Sequence, residues 1–126
     1  MINLKLETIQ KRENLNEVYP VGNVGNGGAY HTYEVFNKLK DSNEKYELLA
    51  QIKFQDGARN IEGSIPGIID VDLLEIVRHR LQSFQAGPFA TEYNSKALEH
   101  IELALMYMNR RVEDRIARNV LGRNEK

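Results

Sequence analysis

Arg111, Arg115 and Arg118 recur at spacings of four and three near the end of the chain. On a helix turning about 100° per residue, Met108 and Val112 mark the middle of an apolar stripe, with Arg115 about 60°, Arg111 about 100° and Arg118 about 120° from it. The three therefore form a column along one edge, and Arg110 points nearly the other way. Guanidinium forks beside apolar surface grip phosphate or carboxylate bidentately where water is partly excluded. The same spacing also suits pairing within the helix, Asp114 with Arg118 at i, i+4 or Arg111 with Asp114, and pairing with Glu113 of another copy.

A second group lies just upstream, where Phe84, Phe89, Tyr93 and Asn94 surround Gly87-Pro88. A ring, an amide and arginines together suit a nucleotide, with the base on the ring, the ribose on the amide and the phosphates on the guanidinium groups. The competing reading is that Phe84 and Phe89 plug the end of a helical turn as core residues. The run Gly22-Asn23-Val24-Gly25-Asn26-Gly27-Gly28 can present backbone N–H groups to an anion in a concave nest, or serve as a flexible strand connection. Phe54 to Asn60 brings Arg59 beside a tight turn at Asp56-Gly57, and an ordinary surface turn is the competing reading there.

Catalytic signatures are missing. There is no GxxxxGK[ST], HExxH or GxSxG, there are 0 cysteines, and the 3 histidines, His31, His79 and His100, are scattered. A thiol nucleophile, a zinc knuckle and a disulfide framework are excluded, and no cofactor is implied. The carboxylate pairs Asp72/Glu75 and Glu113/Asp114 fall on surface-looking helix faces, where they read as solvating charge rather than as a general acid and base.

The elements that must position these residues divide by period. Ile2 to Leu6, Ala29 to Phe36 and Tyr46 to Phe54 read as strands, with turn chemistry at Gly22–Gly28, Asp41-Ser42-Asn43 and Asp56-Gly57. The expectation for residues 1–69 is a small antiparallel meander of about three to five strands. Asp41 to Glu44 reads as a hairpin loop, and Gly63 to Gly67 as the connection onward. From Asp70 the spacing becomes helical. Leu73, Val77, Leu81 and Phe84 make one amphipathic helix, capped by Asp70 or Asp72 and stopped at Ala86-Gly87-Pro88. Thr91 N-caps a second, which carries Leu98, Ile101, Leu105, Met108, Val112 and Ile116 and ends before Gly122. The expected fold class is α+β: a small N-terminal antiparallel sheet followed by an antiparallel helical hairpin over 70–126, in a single domain spanning 1–126.

Composition agrees with a single domain. The 126 residues are 41% hydrophobic, with formal net charge -1 from 17 basic and 18 acidic side chains. That balance argues against a binder of nucleic acid polymers, whose affinity rests on many phosphate contacts. Apolar runs are short, Met1 to Glu7 builds no signal-peptide core, and nothing reads as entering a membrane. A helix over 91–118 would be about 42 Å long, longer than the about 36 Å expected across a compact chain of this size. Its overhanging stripe calls for a second copy of the chain.

The run Leu73 to Ala90, containing Phe84-Gln85-Ala86-Gly87-Pro88-Phe89, then Asn94, Ala97-Leu98, Ala104-Leu105, Arg110-Arg111, Arg115 and Arg118, resembles the helical hairpin shared by phage nucleotide-sponge proteins. Gly28 to His31 and Ile52 to Gln55 narrow the resemblance to the phage Thoeris anti-defence protein one family. The chain departs from that family's pattern at Arg78-His79-Arg80 and at Arg118 to Gly122. The resemblance implies a protein that is not an enzyme. It would act in the host bacterial cytoplasm, sequestering glycocyclic ADP-ribose signals uncleaved and silencing Thoeris immunity. It implies Phe84 on adenine, Asn94 on a ribose or base, and Arg111 and Arg115 on the pyrophosphate, with Arg59 and the loop Asn23, Val24, Gly25 and Asn26 as further contacts. It implies a homodimer, allows a hexamer, and allows a second site for the cyclic trinucleotides of CBASS immunity around Gly87, Ala90, Thr91 and Arg118. A nucleotide hydrolase and a structural oligomeric phage protein are the alternatives.

Overall fold

A computed structural model describes residues 4–38 and 47–119. Three strands form one antiparallel sheet in the order β1 (Asn16–Val21), β2 (Thr32–Asn37), β3 (Glu47–Lys53), and two helices follow, α1 (Asp70–Gln85) and α2 (Glu92–Ala117). This is the expected α+β class. The sheet region and the helices form two compact units: residues 65–67 go with the first, and residues 58–64 with the helices.

Each strand follows from residues that suit a pleated, half-buried surface. Val18 pairs with Val35, and Tyr33 with Ile52. A register shift after Val35 sets Phe36 against Leu48. Edge-on ring contacts then tie the strands, Tyr19 to Phe36 at 5.8 Å and Tyr33 to Phe54 at 5.7 Å between centroids. Of the segment expected as a first strand, Ile2 and Asn3 lie outside the described residues, and Leu4 to Leu6 is irregular, touching the sheet through the Leu6 N–H on Val18 O at 2.9 Å. Alternation alone cannot make a strand without a partner edge to continue the ladder. The strand that sequence reading missed, β1, carries a buried Glu17 where an apolar residue was the signal. Asp41 to Glu44 lies outside the described residues, as does Gly122.

Glu17 is 9% exposed and is held by three neighbours: the Tyr19 hydroxyl donates at 2.8 Å, and the Lys5 and Lys38 ammonium groups lie at 3.4 and 4.0 Å. Burial pushes its carboxyl up, but the Tyr19 and Lys5 hydrogen bonds and the Lys5 and Lys38 charges outweigh that and hold it below its ordinary value. A carboxyl more acidic when folded stabilises the fold fully above its unfolded pKa, and the gain is lost as pH falls through the folded value. Glu17→Gln should therefore cost about 1–3 kcal/mol at pH 7. The gap between variant and parent urea midpoints should shrink as pH drops below about 4.

Gly67 closes the first unit. Its N–H donates to the Gln55 side-chain oxygen at 3.2 Å, and Gln55 in turn donates to Gly57 O at 3.0 Å. A Cβ on Gly67 would sit 2.6 Å from the Phe54 carbonyl oxygen and 2.7 Å from the Gln55 nitrogen. These are backbone atoms with no rotamer to yield. Gly67→Ala should destabilise by about 1–3 kcal/mol, read as a lowered urea midpoint.

In the second unit, the N-cap position of α1 is Ile69, the residue before its first helical residue, Asp70. Asp72, three residues in, accepts the Ile69 N–H at 2.9 Å, so its carboxylate caps from the first turn. Thr91 caps α2 as its sequence position predicts, its hydroxyl accepting the Asn94 N–H at 3.0 Å. Gln85 clamps the turn, accepting the Thr91 N–H and donating to Thr91 O, both at 3.0 Å. Further along, Arg78 reaches Glu102 at 2.9 Å and Glu75 at 3.2 Å. That contact fixes an antiparallel register in which Phe84 stands level with the first turns of α2. Leu98, Ile101, Leu105, Met108 and Val112 are half-buried, whereas Ile76, Val77 and Ile116 are exposed. Among the described residues no hydrophobic side chain is fully buried.

Candidate functional site

The arginine column forms, and its members differ in environment. Arg115, nearest the apolar stripe by helical angle, is 5% exposed, whereas Arg111 and Arg118 are exposed. Arg118 is tied to Asp114 at 3.0 Å, the i, i+4 pairing that competed with an anion site at that position. Arg111 makes no ion pair among the described residues, and Asp114 points to Arg118 instead. An exposed guanidinium fork on an open helix face is thus left at Arg111. No helix of the described residues is long and apolar enough to cross a membrane, and no cluster of three metal-ligating side chains occurs among them.

Near the turn, the competing reading in which two phenylalanines plug the hairpin fails. Phe84 is 39% and Phe89 73% exposed, because the turn is closed by the Gln85 clamp and needs no apolar stopper. Phe84 carries one neighbour that sequence reading did not assign: the Arg80 guanidinium carbon lies 5.4 Å from its ring centroid. The i, i+4 spacing was the available signal. Asn94 is half-buried at the start of α2, and Gly87, Ala90 and Thr91 line the exposed turn.

Ring and arginines stand far apart within one hairpin. Asn94 and Arg111 are separated by 17 positions of continuous α2, or about 26 Å at 1.5 Å per residue, and Arg115 lies about 32 Å away. One small dinucleotide cannot touch both ends of one chain. Arg59 lies on the segment 58–64 of this same unit and is exposed.

The glycine loop belongs to the first unit. It is neither a loose connection nor an open row of donors. Gly25 N–H donates to Ala29 O at 2.8 Å and Gly28 N–H to Gly25 O at 3.1 Å, which occupies two of the groups a nest would offer. Asn26 donates to Asp56 at 2.8 Å, and His31 Nε2 sits 2.8 Å from Asn26 O and 3.5 Å from Asp56. A Cβ at Gly25 would lie 2.8 Å from the His31 ring, so glycine is what admits this histidine. His31 and Asp56 are 25 positions apart in sequence, and nothing local signals their meeting. Asn23 and Val24 are exposed on the loop's outer side.

The family model described as the Acb2/Tad1 hairpin domain matches residues 48–113, from β3 through most of α2. That span includes Arg59, Phe84, Asn94 and Arg111 and ends before Arg115 and Arg118. A protein of Bacillus phage SBSphiJ7 named Thoeris anti-defense 1 is 38% identical over 78 residues, covering 62% of this chain and 54% of that protein. The chain thus spans about half the length of the curated relative it matches. With just over half of its residues in the matched span, and the strand and both helices of that span formed, the chain belongs to the Acb2/Tad1 hairpin family.

Proposed function

We propose that this chain is a phage Thoeris anti-defence protein that captures a small nucleotide signal of the glycocyclic ADP-ribose type in the host bacterial cytoplasm and holds it uncleaved. The observation that carries the reading is the open Arg111 fork on a family hairpin whose other end offers an exposed Phe84 ring. A guanidinium fork binds a pyrophosphate oxygen pair with charge-assisted hydrogen bonds. A phenyl ring adds sequence-independent stacking on a purine. Since about 26 Å of helix separates Asn94 from Arg111, the site joins Phe84 and Asn94 of one copy to Arg111 and Arg115 of another in a homodimer.

The half-exposed apolar stripe through α1 and α2 gives such a partner apolar surface to cover. Arg59, in the same unit as the hairpin, is a further contact of the proposal. Assembly to a hexamer would extend it to cyclic trinucleotides at Gly87, Ala90, Thr91 and Arg118. No nucleophile, base or metal is required, because sequestration needs a preformed pocket and slow release rather than turnover.

The test incubates the full chain with glycocyclic ADP-ribose, removes free ligand, heat-denatures the protein and analyses what is released. Capture returns intact nucleotide in proportion to sites. A changed product in excess of sites would establish a hydrolase instead, and no retained nucleotide would leave a structural role.

A further inference from the structure

We propose that Arg80 is a positioning residue of the nucleotide site, fixing which face of Phe84 receives the base; this rests on the reading of Phe84 as a stacking ring. The two side chains sit one helical turn apart on α1, with the guanidinium carbon 5.4 Å from the ring centroid. The neighbouring arginine on α1, Arg78, is committed to Glu75 and Glu102. Arg80 makes no ion pair among the described residues, so the ring is its described contact.

A phenyl ring has two faces, and a guanidinium over one leaves the other to a planar base. An exposed Phe would otherwise exchange among rotamers and lose that freedom on binding. Arg80 removes part of the loss in advance by holding the ring through cation–π attraction. Its positive charge, without an ion pair among the described residues, also favours a doubly anionic ligand. Weak as an exposed cation–π pair is, it sets a measurable effect of about two- to fivefold in affinity.

The experiment titrates glycocyclic ADP-ribose calorimetrically into the full chain and into Arg80→Met, Arg80→Lys, Phe84→Leu and the Arg80→Met/Phe84→Leu double variant. Fluorine spectra of protein labelled with 4-fluorophenylalanine accompany the titrations, the Phe84 signal being assigned by its loss in Phe84→Leu. Arg80→Met should weaken binding about two- to fivefold, Arg80→Lys should recover part of that, and the effect should vanish in the Phe84→Leu background. The Phe84 fluorine signal of free Arg80→Met protein should shift. Unchanged or tighter binding by Arg80→Met, while Phe84→Leu still weakens it, overturns the positioning role and leaves the nucleotide reading intact. Unchanged binding by Phe84→Leu overturns base stacking and the Arg80 role with it.

Discussion

A mixture of Phe84→Ala and Arg111→Ala chains should recover tight nucleotide binding that neither variant shows alone. The expectation follows from helix length, since Phe84 stands level with the first turns of α2, where Asn94 lies about 26 Å along the helix from Arg111 in any one copy. Each proposed pocket of a two-fold dimer therefore takes its ring from one chain and its fork from the other. In a homodimer of either variant both pockets lack one element, and affinity should fall about 10- to 100-fold from the loss of stacking or of a charged hydrogen-bonded contact. In the mixed dimer one pocket lacks both elements and the other lacks neither. Random pairing makes half of the dimers mixed, so about a quarter of the parent's tight sites should return in calorimetric stoichiometry after co-refolding. Recovery of none would show that ring and arginine do not meet across two chains.

The hairpin was legible because helical periodicity and capping chemistry are local. Thr91 caps from its sequence position, the Ala86-Gly87-Pro88 stop falls where α1 ends, and Arg115, nearest the stripe by angle, is the buried member of the arginine column. The β region was less legible because a strand depends on its neighbour. Leu4 to Leu6 alternates without joining a ladder, while β1 forms around Glu17, whose charge is compensated by Lys5, Lys38 and the Tyr19 hydroxyl from three separate positions. Long-range polar meetings were invisible for the same reason. His31, Asp56 and Asn26 converge only once β2 and the segment after β3 are folded, and that convergence gives the glycine loop a defined shape. Arg80 on Phe84, at i, i+4 within one helix, is by contrast a local pairing.

Arg111 and Arg115, one helical turn apart, should respond differently to the same substitution. Arg111 is exposed without an ion pair among the described residues, so Arg111→Ala should change stability by less than about 0.5 kcal/mol. Its whole effect should appear in ligand affinity. Arg115 is 5% exposed, and its methylene stem fills space on the flank of the stripe. Arg115→Ala removes that packing and should cost about 2–4 kcal/mol of stability. At that exposure its guanidinium offers an isolated chain little free surface. Its loss of nucleotide binding should therefore come together with a lowered urea midpoint, whereas that of Arg111→Ala should come without one. Arg115→Lys separates packing from geometry: the stem is largely kept, but a compact, strongly hydrated ammonium replaces a planar fork. It should restore most of the midpoint and little of the binding. An Arg115→Ala protein with a parental midpoint and lost binding would assign Arg115 to the ligand alone and remove its structural role.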